Sequence, residues 1–263
     1  MNYFDHKNYN VLITGATGYI GRSIAIGFAS CGATVYVNGR NKNKVNDLVK
    51  FLRKKNFKAE SAIFDLNNYI AVKKFFIKNK KFHTIVNNAF STKCNAYNFF
   101  SKKRFDEALS FSITSSAHLY KCAKLPLLRG VKDNKTSSII NILTMYASVS
   151  PDPSLYKKND KSNLYHNPPH YGSAKAGLMH FAKIASVNLA KDNIRVNSIS
   201  PGPFPNLDKK KDKKFINRIK SKVPMGRVGK PEEIITTALY LSSKHSSFIT
   251  GANIPVDGGW TAW

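Results

Sequence analysis

The feature that most constrains this chain is a repeated alternation of short apolar, β-rich runs with longer stretches of helical pattern. The runs are Asn10–Thr14, Thr34–Asn38, Ala59–Phe64, His83–Val86, Ser138–Leu143, Arg195–Ile199 and Asn253–Val256. Most are nearly continuous in apolar residues, as strands buried on both faces of a parallel sheet must be. Helical pattern fills the intervals at Tyr19–Ser30, Lys42–Lys55, Tyr69–Asn79, Lys103–Leu128, His170–Lys191 and Pro231–Ser242. Strand–helix alternation implies right-handed βαβ units. The expected fold is therefore α/β: a doubly wound parallel sheet of about seven strands with helices on both faces. No repeat, linker or composition break divides the chain, so residues 1–263 read as a single domain.

Composition excludes several classes. Hydrophobic residues make up 42% of the 263, enough for a large core and too many for a disordered chain. No apolar run approaches the roughly 18 to 20 residues that span a bilayer, and the start, MNYFDHKNYN, carries no hydrophobic signal region. Cys31, Cys94 and Cys122 are widely spaced and odd in number. They suggest neither disulfides nor a zinc site, and a reducing cytoplasm is the expected setting. The net charge of +27 invites a nucleic-acid reading. The lysines, however, are spread through nearly every helical segment, with no aromatic-interleaved basic motif. No nucleic-acid or membrane partner is expected.

Three motifs carry chemistry. The first strand runs into Thr14-Gly15-Ala16-Thr17-Gly18-Tyr19-Ile20-Gly21 and opens a helix. Such a turn lets backbone approach a pyrophosphate and aims helix N–H groups at it, with Gly15 making the turn, Gly18 the close approach and Gly21 the helix–strand packing. The second strand ends in Asn38-Gly39-Arg40, with no carboxylate to repel a 2′-phosphate and an arginine able to pair with one. NADP(H) is favoured, with NAD(H) the alternative. Asp65, after the third strand, could bond an adenine amino group or cap the next helix. The third motif is Tyr171-Gly172-Ser173-Ala174-Lys175, whose ends share one helix face. A cation about 5 Å from a phenol contributes roughly 3 kcal/mol at an effective dielectric of about 20, enough to bring it down by more than two pKa units toward neutrality. His166 and His170 are separated by Pro168-Pro169, which breaks any helix that would present both to a metal, so no metal site is expected.

Together these residues resemble the short-chain dehydrogenases/reductases, from Asn10 to about Trp260. The resemblance rests on Thr14–Gly21, Asp65, Asn87-Asn88-Ala89, Asn141–Thr144, Tyr171-x-x-x-Lys175, Asn197-x-Ile199-x-Pro201-Gly202 and Val256-Asp257-Gly258-Gly259. It implies a Rossmann fold and hydride transfer between a nicotinamide and a carbonyl or secondary alcohol. By that resemblance Tyr171 is the general acid/base, Lys175 lowers its pKa and binds the nicotinamide ribose, and Thr144 holds the substrate oxygen. Ser112 stands where the family has a helix asparagine. The cofactor would lie along Gly15, Thr17, Gly18, Tyr19, Ile20, Gly21, Arg40, Asp65, Leu66, Asn88, Ala89, Pro201 and Gly202. The resemblance also implies a homo-oligomer, a tetramer or a dimer. The apolar face Leu178, Phe181, Ala182, Ala185 and Leu189 needs only a core or a subunit contact to explain it; the resemblance favours the contact, with the terminal Trp260–Trp263 a candidate for a second.

The chain departs from the pattern at Thr144 for serine, Ser112 for asparagine and Phe90 for the glycine after Asn-Asn-Ala. Its Gly15/Gly18/Gly21 spacing is that of the longer, sugar-nucleotide-handling members. Long segments at Met145–His170 and Pro201–Pro231 follow strand ends, where open α/β sheets bind ligands. The polar character of the first suggests a polar substrate, and the C-terminal half resembles bacterial members acting on sugars, polyols or small secondary alcohols, which implies a sugar or polyol; the basic run Lys209–Lys214 reads as the solvated face of a lid. The alternative function is a catalytically impaired, cofactor-binding or scaffold protein.

Overall fold

In a computed structural model, described over residues 3–90, 101–156, 168–208 and 212–263, all the expected strands form and pair in parallel. They are β1 (Asn10–Ile13), β2 (Thr34–Gly39), β3 (Ala59–Ile63), β4 (Thr84–Asn87), β5 (Ser137–Ile142), β6 (Ile194–Pro201) and β7 (Asn253–Val256). Their order in one sheet is β3-β2-β1-β4-β5-β6-β7. The order reverses between β1 and β4, so the crevice at their carboxyl ends is the topological switch point of the sheet.

Two apolar layers sandwich the sheet. On one face α1 (Tyr19–Ser30), α2 (Lys42–Lys54) and α8 (Glu233–Ser242) bury Ile24, Phe28, Leu48 and Ile234 against Val11, Ile13 and Val35. On the other, α3 (Tyr69–Lys78), α5 (Ser115–Asn134) and α6 (Pro169–Ala190) bury Phe76, Leu119, Leu127 and Ala182 against Leu12, Ile85 and Ile139. Alternate residues of β1 thus feed opposite layers, which is why the run is apolar throughout. Arg195, the one charge within the β6 run, is buried with its guanidinium donating to Thr136 Oγ1 and Ser243 O.

The single helix expected over Lys103–Leu128 is different in two respects. It is α4 (Lys102–Leu109), a π-helical turn at Ser110–Thr114, and then α5, which runs on to Asn134. Gly130 is not a stop: a Cβ there would meet the Phe82 carbonyl oxygen at 2.0 Å, so glycine serves close packing, and the helix ends only at Lys135 in the left-handed region. The segment expected to form a lid carries a helix, α7 (Lys213–Lys222). Lys213 and Lys214 are exposed, as expected of a solvated face, while Lys209–Lys211 lie outside the described residues.

Of the two alternatives for the apolar face of α6, the chain's own core takes most of it. Leu178, Ala182 and Ala185 are buried in this chain's own core, with Phe181 and Leu189 packed beside them. Trp260 is buried with Met145, Tyr146 and Phe215 and needs no partner, whereas Trp263 is 80% exposed. Among the described residues, no helix is long and apolar enough to cross a membrane and no cluster could hold a metal ion. His170 is buried edge-on to Phe105; His166 and Cys94 lie outside the described residues.

Candidate functional site

At the carboxyl edge of the sheet a cleft of about 460 Å³ opens between the β1–α1 turn, the ends of β2 and β3, and α6. Its floor is built by glycine. Gly15 has φ +62°, and a Cβ there would meet Ala89 Cα at 2.8 Å. At Gly21 a Cβ would meet Gly15 O at 2.5 Å and Asn88 Nδ2 at 2.6 Å. These two positions therefore exclude side chains for reasons of packing and backbone, and they leave Tyr19, Ile20 and Gly21 of the first turn of α1 on the cleft wall. No side chain caps that turn, so its N–H groups are available to an anion.

Polar side chains lock the turn from behind. Thr14 Oγ1 accepts from the N–H groups of Asn88 (2.9 Å) and Ala89 (3.0 Å), while Asn88 Nδ2 donates to the carbonyls of Thr14 and Gly15. Asn38, buried at the end of β2, accepts from Gly15 N and donates to the carbonyls of Ala62 and Phe64. Thr14 and Asn38 carry the geometry although sequence reasoning gave neither a role. The available signal was a polar residue closing an otherwise apolar strand. Thr14→Val keeps the shape but leaves two half-buried N–H donors without their acceptor, each costing up to about 1–3 kcal/mol. A melting temperature lowered by about 5 °C or more is expected by calorimetry; an unchanged melting temperature would show that these bonds are dispensable.

Arg40 and Asp65 stand on the cleft wall and pair with each other, Nη1 to Oδ2, at 3.6 Å. Asp65 also accepts from Asn67 N, and the cap of α3 is Asn68, not Asp65. Arg40 further borders a second, wider hollow with Arg22, Lys44 and Lys230, so cations dominate its surroundings. Leu66, Asn88 and Ala89 line the cleft as expected, together with Thr17 and Gly18 and the unanticipated Phe64, Phe111 and Phe204.

Tyr171 and Lys175, one turn apart on α6, close the cleft. Lys175 is buried and its Nζ donates to the Ile142 carbonyl at 2.8 Å. Burial brings its ammonium down to about 8. The depressed phenol expected from a neighbouring cation is not found: burial pushes the Tyr171 phenol up, against a hydrogen bond with Thr144 that pulls it down. Burial disfavours the charged form of both groups, which raises the phenol and lowers the ammonium.

Thr144, Ser112, Pro201 and Gly202 do not line the cleft. Thr144 reaches the site through Tyr171 and also accepts from Tyr146 N. Ser112 is buried inside the π-helical turn, where its carbonyl accepts from Ser116 Oγ at 2.6 Å. Ser116 in turn accepts from Asn87 Nδ2, which also donates to Asn141 Oδ1. Ser112 thus anchors a buried polar network through its backbone. Gly202 packs on Asp257, its absent Cβ lying 2.6 Å from Asp257 Cα.

Comparisons with known proteins agree with this geometry. A family model described as enoyl-(acyl carrier protein) reductase matches residues 15–261. The uncharacterised oxidoreductase YxbG of Bacillus subtilis is 30% identical over 273 residues, 98% of this chain and 92% of its own. The 3-oxoacyl-[acyl-carrier-protein] reductase FabG of Chlamydia pneumoniae is 30% identical over 258 residues, covering 95% of this chain and 96% of that one. A provisionally named 2-deoxy-D-gluconate 3-dehydrogenase from Agrobacterium tumefaciens, solved with bound NADP, superposes with a TM-score of 0.83 at 26% identity over the whole of both chains. With the switch-point cleft, the glycine cradle and the Tyr171–Lys175 pair in place, the chain belongs to the short-chain dehydrogenase/reductase family of NAD(P)-dependent oxidoreductases.

Proposed function

We propose that the chain is an NADP(H)-dependent reductase of a ketone or aldehyde, with Tyr171 as the proton donor. The observation that carries this reading is one cleft bounded at one part by Arg40 and a glycine cradle, and at another by Tyr171 and Lys175. The residues fit a dinucleotide: the glycines clear room that a Cβ would fill, the first turn of α1 offers N–H groups, and Arg40 offers a planar cation for a 2′-phosphate. The bound NADP of the Agrobacterium relative supports the same preference.

When bound, the reduced nicotinamide supplies a hydride to the carbonyl carbon. This chain's residues do the rest. Tyr171 Oη, kept protonated by burial, gives its proton to the carbonyl oxygen as that oxygen gains charge. Thr144, bonded to Tyr171, orients the hydroxyl that gives the proton. The Lys175 ammonium would hold ribose hydroxyls of the bound cofactor, and its charge offsets the one left on the phenol. In the oxidative direction the proton moves from the alcohol to Tyr171.

Within Met145–His170, the described residues Met145, Tyr146, Leu155 and Tyr156 are buried with Phe215, Ile216 and Trp260, and Tyr171 packs against this cluster. Residues 157–167 lie outside the described residues. Two substrate classes stay in the proposal: a carbonyl on an acyl chain, as in the reaction named for FabG, and a sugar or polyol, as in the name of the Agrobacterium relative. Self-association belongs to the same proposal, since Ile184 and Val187 of α6 and the terminal Trp263 expose apolar surface.

The test is thermal unfolding with matched NADP(H), NAD(H) and no ligand. At 100 times its dissociation constant a ligand adds about 2.7 kcal/mol, a shift of roughly 5–10 °C for a chain of this size. A shift with NADP(H) alone is expected. A shift with NAD(H) alone would remove the Arg40 argument, and no shift with either would favour the scaffold alternative. A panel pairing a 3-oxoacyl thioester with a sugar ketone then separates the two substrate classes.

A further inference from the structure

The cleft reaches Tyr171 and Lys175 yet is not lined by Thr144, Ser112, Pro201 or Gly202. Aromatic rings account for this. Phe204 lies on the cleft wall and also on that of a separate 320 Å³ cavity bordered by Asp257, Gly258 and Gly259, so its ring stands between the two. Phe90 stands at the catalytic pair. Its ring is edge-on to Tyr171, with centroids 4.8 Å apart and planes at 78°, and its centroid lies 5.7 Å from Lys175 Nζ. Behind it the ring packs on Ala108 of α4 and Ala174 of α6.

Lys175 has three donors. One is used on Ile142 O, and the face of Phe90 lies within cation–π reach of the same ammonium. A ligand hydroxyl entering from the cleft must compete with that ring for the ground beside Nζ. Among the described residues the ring is held by packing on Ala108 and Ala174, its edge contact with Tyr171 and the Lys175 ammonium, with no conventional hydrogen bond, so the position is one a ligand can displace.

We propose that Phe90 sets how deeply a dinucleotide enters this cleft: its ring covers the Tyr171–Lys175 pair, and the half of the ligand beyond the pyrophosphate seats only after the ring turns away. This rests on the reading of the cleft as a dinucleotide site. It assigns Phe90 a role in ligand discrimination, with the adenosine half bound by preformed structure and the nicotinamide half bound at the cost of moving a side chain. Substrate access to Tyr171 is tied to the same movement, because the ring touches the phenol that must meet the carbonyl.

The experiment is calorimetric titration of wild type, Phe90→Ala and Phe90→Leu with NADP⁺ and with 2′-phospho-ADP, which lacks the nicotinamide and its ribose. Thermal melts establish that each variant is folded, and the leucine variant retains apolar contact with Ala108 and Ala174 should alanine unfold the chain. Wild type is expected to bind the two ligands within about threefold of each other. Phe90→Ala is expected to bind NADP⁺ at least about tenfold more tightly with the fragment unchanged, since an open state populated at about one tenth lowers apparent affinity by that factor; Phe90→Leu should fall between. If wild type already prefers NADP⁺ over the fragment by about tenfold or more, or if neither variant binds NADP⁺ more tightly than wild type, the proposal is overturned while the dinucleotide cleft stands. If wild type and variants bind neither ligand, the dinucleotide reading is overturned and this proposal with it.

Discussion

Tyr171→Phe is expected to cut turnover of any carbonyl the protein reduces by about 10²- to 10⁴-fold, the usual contribution of a positioned acid or base. NADP(H) affinity should stay within about twofold of wild type. The ring survives the change, so its edge contact with Phe90 and its packing against the Met145–Trp260 cluster are kept. What disappears is the hydroxyl bonded to Thr144 and the proton it carries. Single-turnover oxidation of NADPH reads the chemical step, and calorimetry reads binding. Turnover that survives with unchanged affinity would remove Tyr171 from proton transfer. Weakened binding with a normal chemical step would instead make it a cofactor contact.

The second large effect is on cofactor choice. Arg40→Asp should move the ratio of NADP(H) to NAD(H) affinity by roughly 10- to 100-fold toward NAD(H), the equivalent of losing one or two charge-assisted hydrogen bonds. The physical basis lies in what surrounds the position. Arg40 already pairs with Asp65 at 3.6 Å, a separation at which the guanidinium is shared loosely and can turn to a phosphate. Its side chain is 56% exposed, so the ion pair itself contributes little to stability and the variant should fold. An aspartate there would stand beside Asp65, repel a 2′-phosphate and offer an acceptor to ribose hydroxyls. A ratio that does not move would show that the cations of the neighbouring hollow, Arg22, Lys44 and Lys230, read the phosphate without Arg40.

Much of this was legible in the chain. Strands flanked by helices on both faces leave a plain mark, because residues such as Val11, Leu12 and Ile13 are apolar on both faces, and each predicted strand ends within two residues of the observed one. The glycine cradle and the Tyr171–Lys175 pair were legible too, since each depends on short-range spacing. What was hidden depends on contacts distant in sequence. Gly130 reads locally as a helix breaker, and only the Phe82 carbonyl lying against it explains why the helix continues. Tyr171 beside Lys175 reads as a depressed phenol when only the pair is considered, and the packing that buries both reverses the sign. Leu178, Ala182 and Ala185 form an apolar face whatever covers it, and the cover proved to be the chain's own core. Thr14 and Asn38 bond to residues 23 or more positions away, which no local pattern reveals.

The π-helical turn at Ser110–Thr114 has a consequence for how this protein can change length. A π turn holds one residue more than the regular helix around it, and each residue of an α-helix accounts for about 100° of rotation. Deleting one residue here would restore an unbroken helix and, in doing so, swing all of α4 round its axis by about that angle. Ala108 would leave its place behind Phe90, and the Ser112 carbonyl would return to the helix ladder, stripping Ser116, Asn87 and Asn141 of their shared anchor. Insertions and deletions are therefore tolerable in the loops of this chain and not in the middle of its longest helical stretch, where the residue count itself is part of the site.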